Sequence, residues 1–183
     1  MDQRVSSPIV IRHVEKFPEA EFARLQRIVF AEMQQESPEL AAALAQEAAA
    51  KPSVEHVHSP IFRLGAYDGE ALVGWSYGWM ERGNVFYMAN SGVIPSHRRR
   101  GLYSALLAAI REHAVAQGAV ALRSQHSVMN NAMLIANLRA GFHVCGLSQH
   151  ARMGALVELM LHFFDGREAL FRTRSLPYAT PDA

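Results

Sequence analysis

The stretch Val93-Ile94-Pro95-Ser96-His97-Arg98-Arg99-Arg100-Gly101-Leu102-Tyr103-Ser104 organises the rest of the chain around it. A strand ends here, a turn carrying three arginines and a glycine follows, and an amphipathic helix begins. The start of a helix leaves about four backbone N–H groups without partners and presents the positive end of the helix dipole. Such a start is an anion site, and phosphate is its usual guest. Gly101 lets a ligand approach the backbone closely, and the arginines can add charge-assisted hydrogen bonds. The plainer reading is a solvated basic turn at a helix start, so the flanking sequence has to decide.

Downstream, Gly101 to Gln117 is predicted to be helical. Leu102, Leu106, Ile110 and His113 form one stripe with Tyr103, Leu107 and Ala114 beside it, and Gly118 is placed to end it. Val120–Ser124 reads as a strand, Asn130–Ala140 as a helix, and Phe142–Leu147 and Leu156–Phe164 as strands. A short tail helix follows around Arg167–Thr173. Strand–helix–strand units predict parallel pairing through this half. Upstream, Ile9–Val14 is a strand, and after Pro18 a helix carries Phe22, Leu25, Ile28, Val29 and Met33 at helical spacing. Ser37-Pro38 opens a second, alanine-rich helix, and 51–60 reads as a loop. Ile61–Tyr67 and Ala71–Met80 are strands joined at Asp68-Gly69, and Asn84–Val93 follows the Arg82-Gly83-Asn84 turn. The sum is an α/β fold with a mixed sheet of about seven strands, antiparallel first and parallel in the middle, with helices on both faces. No domain boundary is visible in 1–183.

A second constellation follows about 30 residues on. Asn130-Asn131-Ala132-Met133 opens a helix, and Asn137 and Gly141-Phe142 close it. Asn130 can cap the helix and Gly141 can supply the left-handed residue at its end. Capping does not explain Asn137, a poor residue for mid-helix. With both segments in register and one strand between them, the chain resembles the GNAT superfamily of acetyl-CoA-dependent N-acyltransferases. The family's pyrophosphate motif (Gln or Arg, two residues, Gly, one residue, Gly or Ala) falls on Arg98, Arg99, Arg100, Gly101, Leu102 and Tyr103, after the V-x-P strand end at Val93-Ile94-Pro95. The family's second motif falls on Asn130, Met133, Asn137, Gly141 and Phe142. The resemblance covers nearly the whole chain in element order and is strongest over 71–142.

The resemblance implies that residues 1–183 form one acyltransferase domain. It implies an acetyl-CoA co-substrate lying where the fourth and fifth strands splay apart. Val93 and Ile94 would pair with the pantetheine arm through the main chain, backbone N–H groups from Arg98 to Ser104 would hold the pyrophosphate, and Asn130 and Asn137 would line the other side. An acceptor amine would attack the thioester directly while main-chain donors stabilise the oxyanion and a base takes the amine proton. Three positions depart from the family. Tyr103 replaces a small residue, so its ring has to point away from the phosphates. Asn137 stands where many members carry the tyrosine that protonates the leaving thiolate, and an amide cannot do so. Tyr87 stands where some members carry a glutamate base, and an ordinary tyrosine with pKa ~10 is a poor base at neutral pH. His126, just after the fifth strand, and Glu81, at a strand end, are the other candidate bases. Their plainer readings are a helix-approach histidine and a solvated turn acid.

Composition is consistent with this. The chain has 183 residues, 50% hydrophobic and 19% charged, as a globular protein does. Its net charge of +1 argues against a strongly basic nucleic-acid binder. That total conceals an imbalance: residues 1–81 hold 12 acids and 7 bases, and residues 82–183 hold 5 acids and 11 bases. The basic half contains the arginine turn, and the acidic half points weakly to a cationic amine. Cys145 is the only cysteine, so no intramolecular disulfide can form, and it reads as a small buried hydrophobe. His56 and His58 have strand-like spacing without a third ligand, so no metal is expected. Trp75, Tyr77 and Trp79 alternate on one strand face, as core or dimer-surface residues do. No signal peptide and no run of about 20 apolar residues is seen, so a cytoplasmic protein without membrane contact is expected. The leading function is N-acetylation of a small-molecule or protein amine, with room for a homodimer. The alternatives are a non-enzymatic acyl-CoA-binding sensor and a member acting on a macromolecule.

Overall fold

A computed structural model of the chain describes residues 8–31, 37–39, 42–43, 45–46, 60–150 and 153–175. One sheet contains β1 (Val10–His13), β2 (Phe62–Asp68), β3 (Ala71–Glu81), β4 (Val85–Val93), β5 (Ala121–Ser127), β6 (His143–His150) and β7 (Gly154–His162). Their order across it is β1-β2-β3-β4-β5-β7-β6. The helices are α1 (Glu19–Val29), α2 (Leu102–Ala116), α3 (Asn131–Arg139) and α4 (Asp165–Ser175). The mixed α/β architecture expected from the sequence is therefore present, with antiparallel pairing from β1 to β4 and parallel pairing of β4 with β5.

The expected parallel pairing beyond β5 needs correction. β5 and β6 run the same way, but β7 lies between them and pairs antiparallel with both. The connection from β6 to β7 is short, so the chain turns back as a hairpin, and parallel neighbours would need a long crossover.

Each face of the sheet buries its own cluster. Leu102, Leu106 and Ile110 of α2 pack against Val73, Phe86, Met88, Leu122 and Leu159. Leu106 and Ile110 are fully buried, each stabilising the fold by roughly 2–3 kcal/mol relative to exposure. Leu134 of α3 joins that cluster. On the opposite face, Phe22 and Leu25 of α1 meet Tyr67, Leu72 and Trp75, with Phe22 edge-on to Trp75 at 5.1 Å between ring centres. Val157, Leu159 and Leu161 face α2, so the alternation of a strand turns His162 the other way, where Phe171 of α4 lies 5.4 Å from its ring. Helices thus cover both faces.

Several sequence readings change. Ile28, in the predicted apolar stripe of α1, is 43% exposed, because Leu25 alone on that helix is buried. Residues 38–39, 42–43 and 45–46 are helical, as predicted, while Met33 and all of 47–59, with His56 and His58, lie outside the described residues. Trp75 is core, whereas Tyr77 and Trp79 are half-buried. Cys145 is exposed, not buried. It is the unpaired residue of a bulge between Val144 and Gly146 on the edge strand β6, and a bulge turns its extra residue away from the ladder. Burial of part of the thiol still pushes its pKa up, so it is not an activated nucleophile.

Candidate active site

The site begins where two strands stop pairing. β4 and β5 pair only through Val85–Ala121, Phe86–Leu122 and Tyr87–Arg123. Beyond that rung β4 continues to Val93 and β5 to Ser127, and the two diverge into a wedge. A bulge in β4 accompanies the divergence: Tyr77 pairs with Asn90 and Gly78 with Met88, leaving Ala89 without a partner. A bulge bends its strand, and here Gly78 permits it, since a Cβ at that position would collide with the Tyr87 carbonyl. The N–H of Ile94 donates to the Val73 carbonyl at 3.0 Å. Main-chain groups alternate sides along a strand, so Gly92 faces β3 with Ile94, and Ser91 and Val93 turn theirs toward the wedge. Ile94, expected to contact the pantetheine arm, therefore has its N–H committed to the sheet and its half-buried side chain packed against the core.

The arginine turn closes the mouth of the wedge. Arg98 is part of the frame: its N–H donates to the Pro95 carbonyl at 3.3 Å, and its guanidinium donates to the Val93 carbonyl at 3.1 Å and the Val29 carbonyl at 3.5 Å. It ties β4, the turn and α1 together, so the expected phosphate role does not extend to its side chain or its N–H. From Arg99 to Ser104, the N–H groups donate to no backbone carbonyl among the described residues. Positive φ at Arg99 (61°) and Gly101 (76°) curls the turn so that these donors converge. Arg99 holds this left-handed shape at a cost of about 1–2 kcal/mol. A Cβ at Gly101 would meet nothing within 4 Å, so the space in front of the donors is open. The adjoining cleft, about 550 Å³, is lined by Val29, Ser91, Val93, Gly101, Ser127, Asn130 and Met133 among others, and among the described residues no carboxylate lines it. Donors, guanidinium groups and an absence of negative charge fit a pyrophosphate. Asn130 lines the cleft and caps α3, its Oδ1 accepting from the Met133 N–H at 3.3 Å.

Behind the cleft, on the α2–α3 face, lies a closed polar chain. The Tyr103 hydroxyl donates to Asn137 Oδ1 at 2.9 Å. Asn137 Nδ2 donates to the Met133 carbonyl at 2.9 Å and lies 3.1 Å from His126 Nε2, which is 3.2 Å from Ser124 Oγ. Asn137 and Ser124 are fully buried. Asn137 is therefore not a wall of the cleft; its amide supports the groups around it. Tyr103 lines the cleft with its hydroxyl turned inward, away from the phosphate-facing donors, as its departure from the family required. Burial pushes its phenol up to about 12 and the His126 imidazole down to about 4. Both are neutral near pH 7. His126, with its Nε2 already engaged and its basicity depressed, is a poor general base. A phenol pushed up to about 12 is a weaker proton donor to a leaving thiolate than an ordinary tyrosine.

On the α1 face a second polar chain spans the apex of the wedge. The Tyr87 hydroxyl donates to Gln125 Oε1 at 3.0 Å, and Gln125 Nε2 donates to Glu158 Oε1 at 2.8 Å and Ser148 Oγ at 3.3 Å. Arg123 stacks 4.4 Å over the Tyr87 ring and binds both carboxylate oxygens of Glu81, at 3.0 and 2.8 Å. Burial is the main force raising the Tyr87 pKa above 10, opposed by Arg123. Tyr87 is thus a donor near neutral pH, and Glu81 is held in an ion pair. Sequence reasoning missed Gln125 and Glu158. Glu158 had a signal, being a lone acid in the apolar run Leu156–Phe164, but only cross-strand pairing places it beside Gln125. Among the described residues no group of three or more metal-ligating side chains occurs.

The wedge, the donor turn and the capped helix behind them belong to a mixed α/β fold with an anion-suited cleft at the strand divergence. The acetyltransferase (GNAT) family pattern matches residues 21–142, and the chain belongs to that family. Among curated proteins none matches this sequence. Solved structures share the fold at low identity. The ribosomal-protein-S18-alanine N-acetyltransferase of Escherichia coli superposes with a TM-score of 0.63 at 12% identity, over 85% of this chain and 94% of that one. The PaiA N-acetyltransferase of Thermoplasma acidophilum, solved with coenzyme A, gives 0.59 at 16% identity, over 81% and 98%. A nourseothricin acetyltransferase gives 0.53 at 22% identity, covering 56% of this chain and 65% of its own.

Proposed function

We propose that the protein transfers the acetyl group of acetyl-CoA to a primary amine by direct attack, and that 1–183 form one such domain. The observation that carries this is the open wedge between β4 and β5, with N–H groups from Arg99 to Ser104 at its mouth that donate to no backbone carbonyl among the described residues. The turn's donors and the Arg99 and Arg100 side chains hold the pyrophosphate, and the main chain of Ser91 and Val93 aligns the pantetheine arm. The amine nitrogen bonds to the acyl carbon, the C–S bond breaks, and the sulfur leaves as thiolate. No protonation by this chain is needed, because a thiol of pKa ~8.5 is a tolerable leaving group. The amine nitrogen gives its proton to solvent water, since Tyr87 and His126 are unsuited to take it near neutral pH. Calorimetric titration with acetyl-CoA, followed by assay of free CoA release with a panel of primary amines, tests the reading. Micromolar binding with amine-dependent release is the expected result, and no binding of acetyl-CoA refutes it.

The second reading is an acyl-CoA-binding sensor. It is favoured by one observation: of the polar groups packed behind the cleft, the His126 imidazole is lowered by burial to about 4 and too weakly basic, and the Tyr103 phenol, Asn137 amide and Ser124 hydroxyl take up no proton near neutral pH. Tight acetyl-CoA binding without turnover on any amine would select it.

A further inference from the structure

The sheet has two edges, and they are built differently. β1 is four residues long and carries Arg12, whose guanidinium lies 4.2 Å over the Tyr67 ring. A short edge strand bearing a cation resists pairing with another chain. β6, at the other edge, is eight residues long and contains no Asp, Glu, Lys, Arg or Pro. Its two histidines are engaged within the chain: His143 Nε2 lies 3.4 Å from Glu168 Oε1 on α4, and His150 Nδ1 accepts from the Met153 N–H at 3.1 Å. The bulge at Cys145 interrupts the strand once, and 146–150 then run in unbroken register with β7, their only neighbour in the sheet.

The same edge exposes an apolar face. Val144 pairs with Leu159 and Leu147 with Val157, so both side chains point to the α2–α3 side of the sheet, yet they are 52% and 75% exposed. On α3, Ala132, Met133 and Ala136 line the cleft. At about 3.6 residues per turn, Ile135 and Leu138 point away from the cleft and toward β6, and both are exposed. The one charge on α3 is Arg139, in its last turn. The four apolar side chains present roughly 400 Å², and with the strand edge and Met153 a two-fold pairing buries about 1,000 Å² in total, where stable interfaces begin.

We propose that this face docks a second copy of the chain. The two β6 strands run antiparallel about a two-fold axis, and Ile135, Leu138, Val144 and Leu147 of one protomer pack against the same patch of its partner. A two-fold interface sets a patch against itself, so a charged patch repels its own copy and a neutral apolar one does not. The charge-free β6 edge meets that condition and the Arg12 edge does not. The proposal stands independently of the acetyl-transfer reading.

Sedimentation of the full chain from about 1 to 100 µM tests it, and wild type should form a dimer of the 20.3 kDa chain within that range. Leu147→Lys should weaken association at least about 100-fold. Val10→Lys, at a 53% exposed position on the β1 edge, should leave it unchanged. Circular dichroism checks that each variant folds, and Ile135→Glu reads the same face should Leu147→Lys fail to fold. Amides of 146–150 should exchange more slowly at dimer-forming concentration than in dilute solution. Wild type that stays monomeric at about 100 µM, a dimer that survives a folded Leu147→Lys or Ile135→Glu, a dimer dissociated by Val10→Lys, or exchange at 146–150 that ignores concentration each overturns the proposal.

Discussion

On one face of the open strand pair the polar side chains are neutral; on the other they are charged. Tyr103, Asn137, His126 and Ser124 form a closed chain between β5, α2 and α3, and its titratable members are pushed toward neutrality by burial. Glu81, Arg123 and Glu158, with Tyr87 and Gln125 between them, occupy the half-buried α1 face. The difference follows from solvation. A group sealed under two helices cannot keep a charge without a partner, and the α2–α3 face solves this with amide, hydroxyl, phenol and neutral imidazole. The α1 face keeps enough water contact to hold ions. The two faces therefore differ in kind: one backs the cleft with a closed neutral network, the other carries ions.

The comparison is broken most directly at Asn137. Asn137→Ala leaves the Tyr103 hydroxyl and His126 without their shared partner in a dry site, and should cost about 3 kcal/mol of stability by urea denaturation. A loss under ~1 kcal/mol would show that this face is not a closed network. Gly101→Glu comes next. It sets a negative charge against the converging donors and should weaken acetyl-CoA at least ~100-fold by calorimetry, without touching the α1 face. Unchanged affinity in the folded variant would remove the pyrophosphate assignment.

A pH series sharpens the contrast. His126 has a folded pKa of about 4 against an ordinary 6.5, so below 6.5 the unfolded chain takes up a proton the folded chain refuses. Stability from this group is complete above about pH 6.5 and falls as pH drops toward 4, by roughly 2 kcal/mol at pH 5. His126→Gln should flatten that fall, and an equally steep slope in the variant would place the titration elsewhere. The smallest effect belongs to the α1 face: Glu81→Gln leaves the partly buried Arg123 with an amide in place of its bidentate carboxylate, and should cost about 1–2 kcal/mol in a thermal melt. A cost equal to that of Asn137→Ala would erase the distinction between the faces.

Most of the architecture was legible because it rests on local chemistry. The turns at Gly69, Gly83 and Gly118 have the positive φ that their sequences implied, and the stripe Leu102, Leu106 and Ile110 is buried as its spacing required. The donor turn was legible for the same reason, since a basic turn ending in glycine before an amphipathic helix creates unpaired N–H groups wherever it occurs. Other features depended on neighbours distant in sequence. The placement of β7 between β5 and β6, the exposure of Cys145 at a bulge, and the withdrawal of Arg98 into the frame are outcomes of pairing.

By itself, then, the sequence determined the element order, the donor turn and the family resemblance, because these are set by spacing within a few turns of chain. The protonation states of Tyr103 and His126, the burial of Asn137 and the meeting of Tyr87, Gln125 and Glu158 across three strands were decided by tertiary structure alone. Charge state depends on desolvation and on partners, and both are properties of the packed fold that no local stretch of sequence contains.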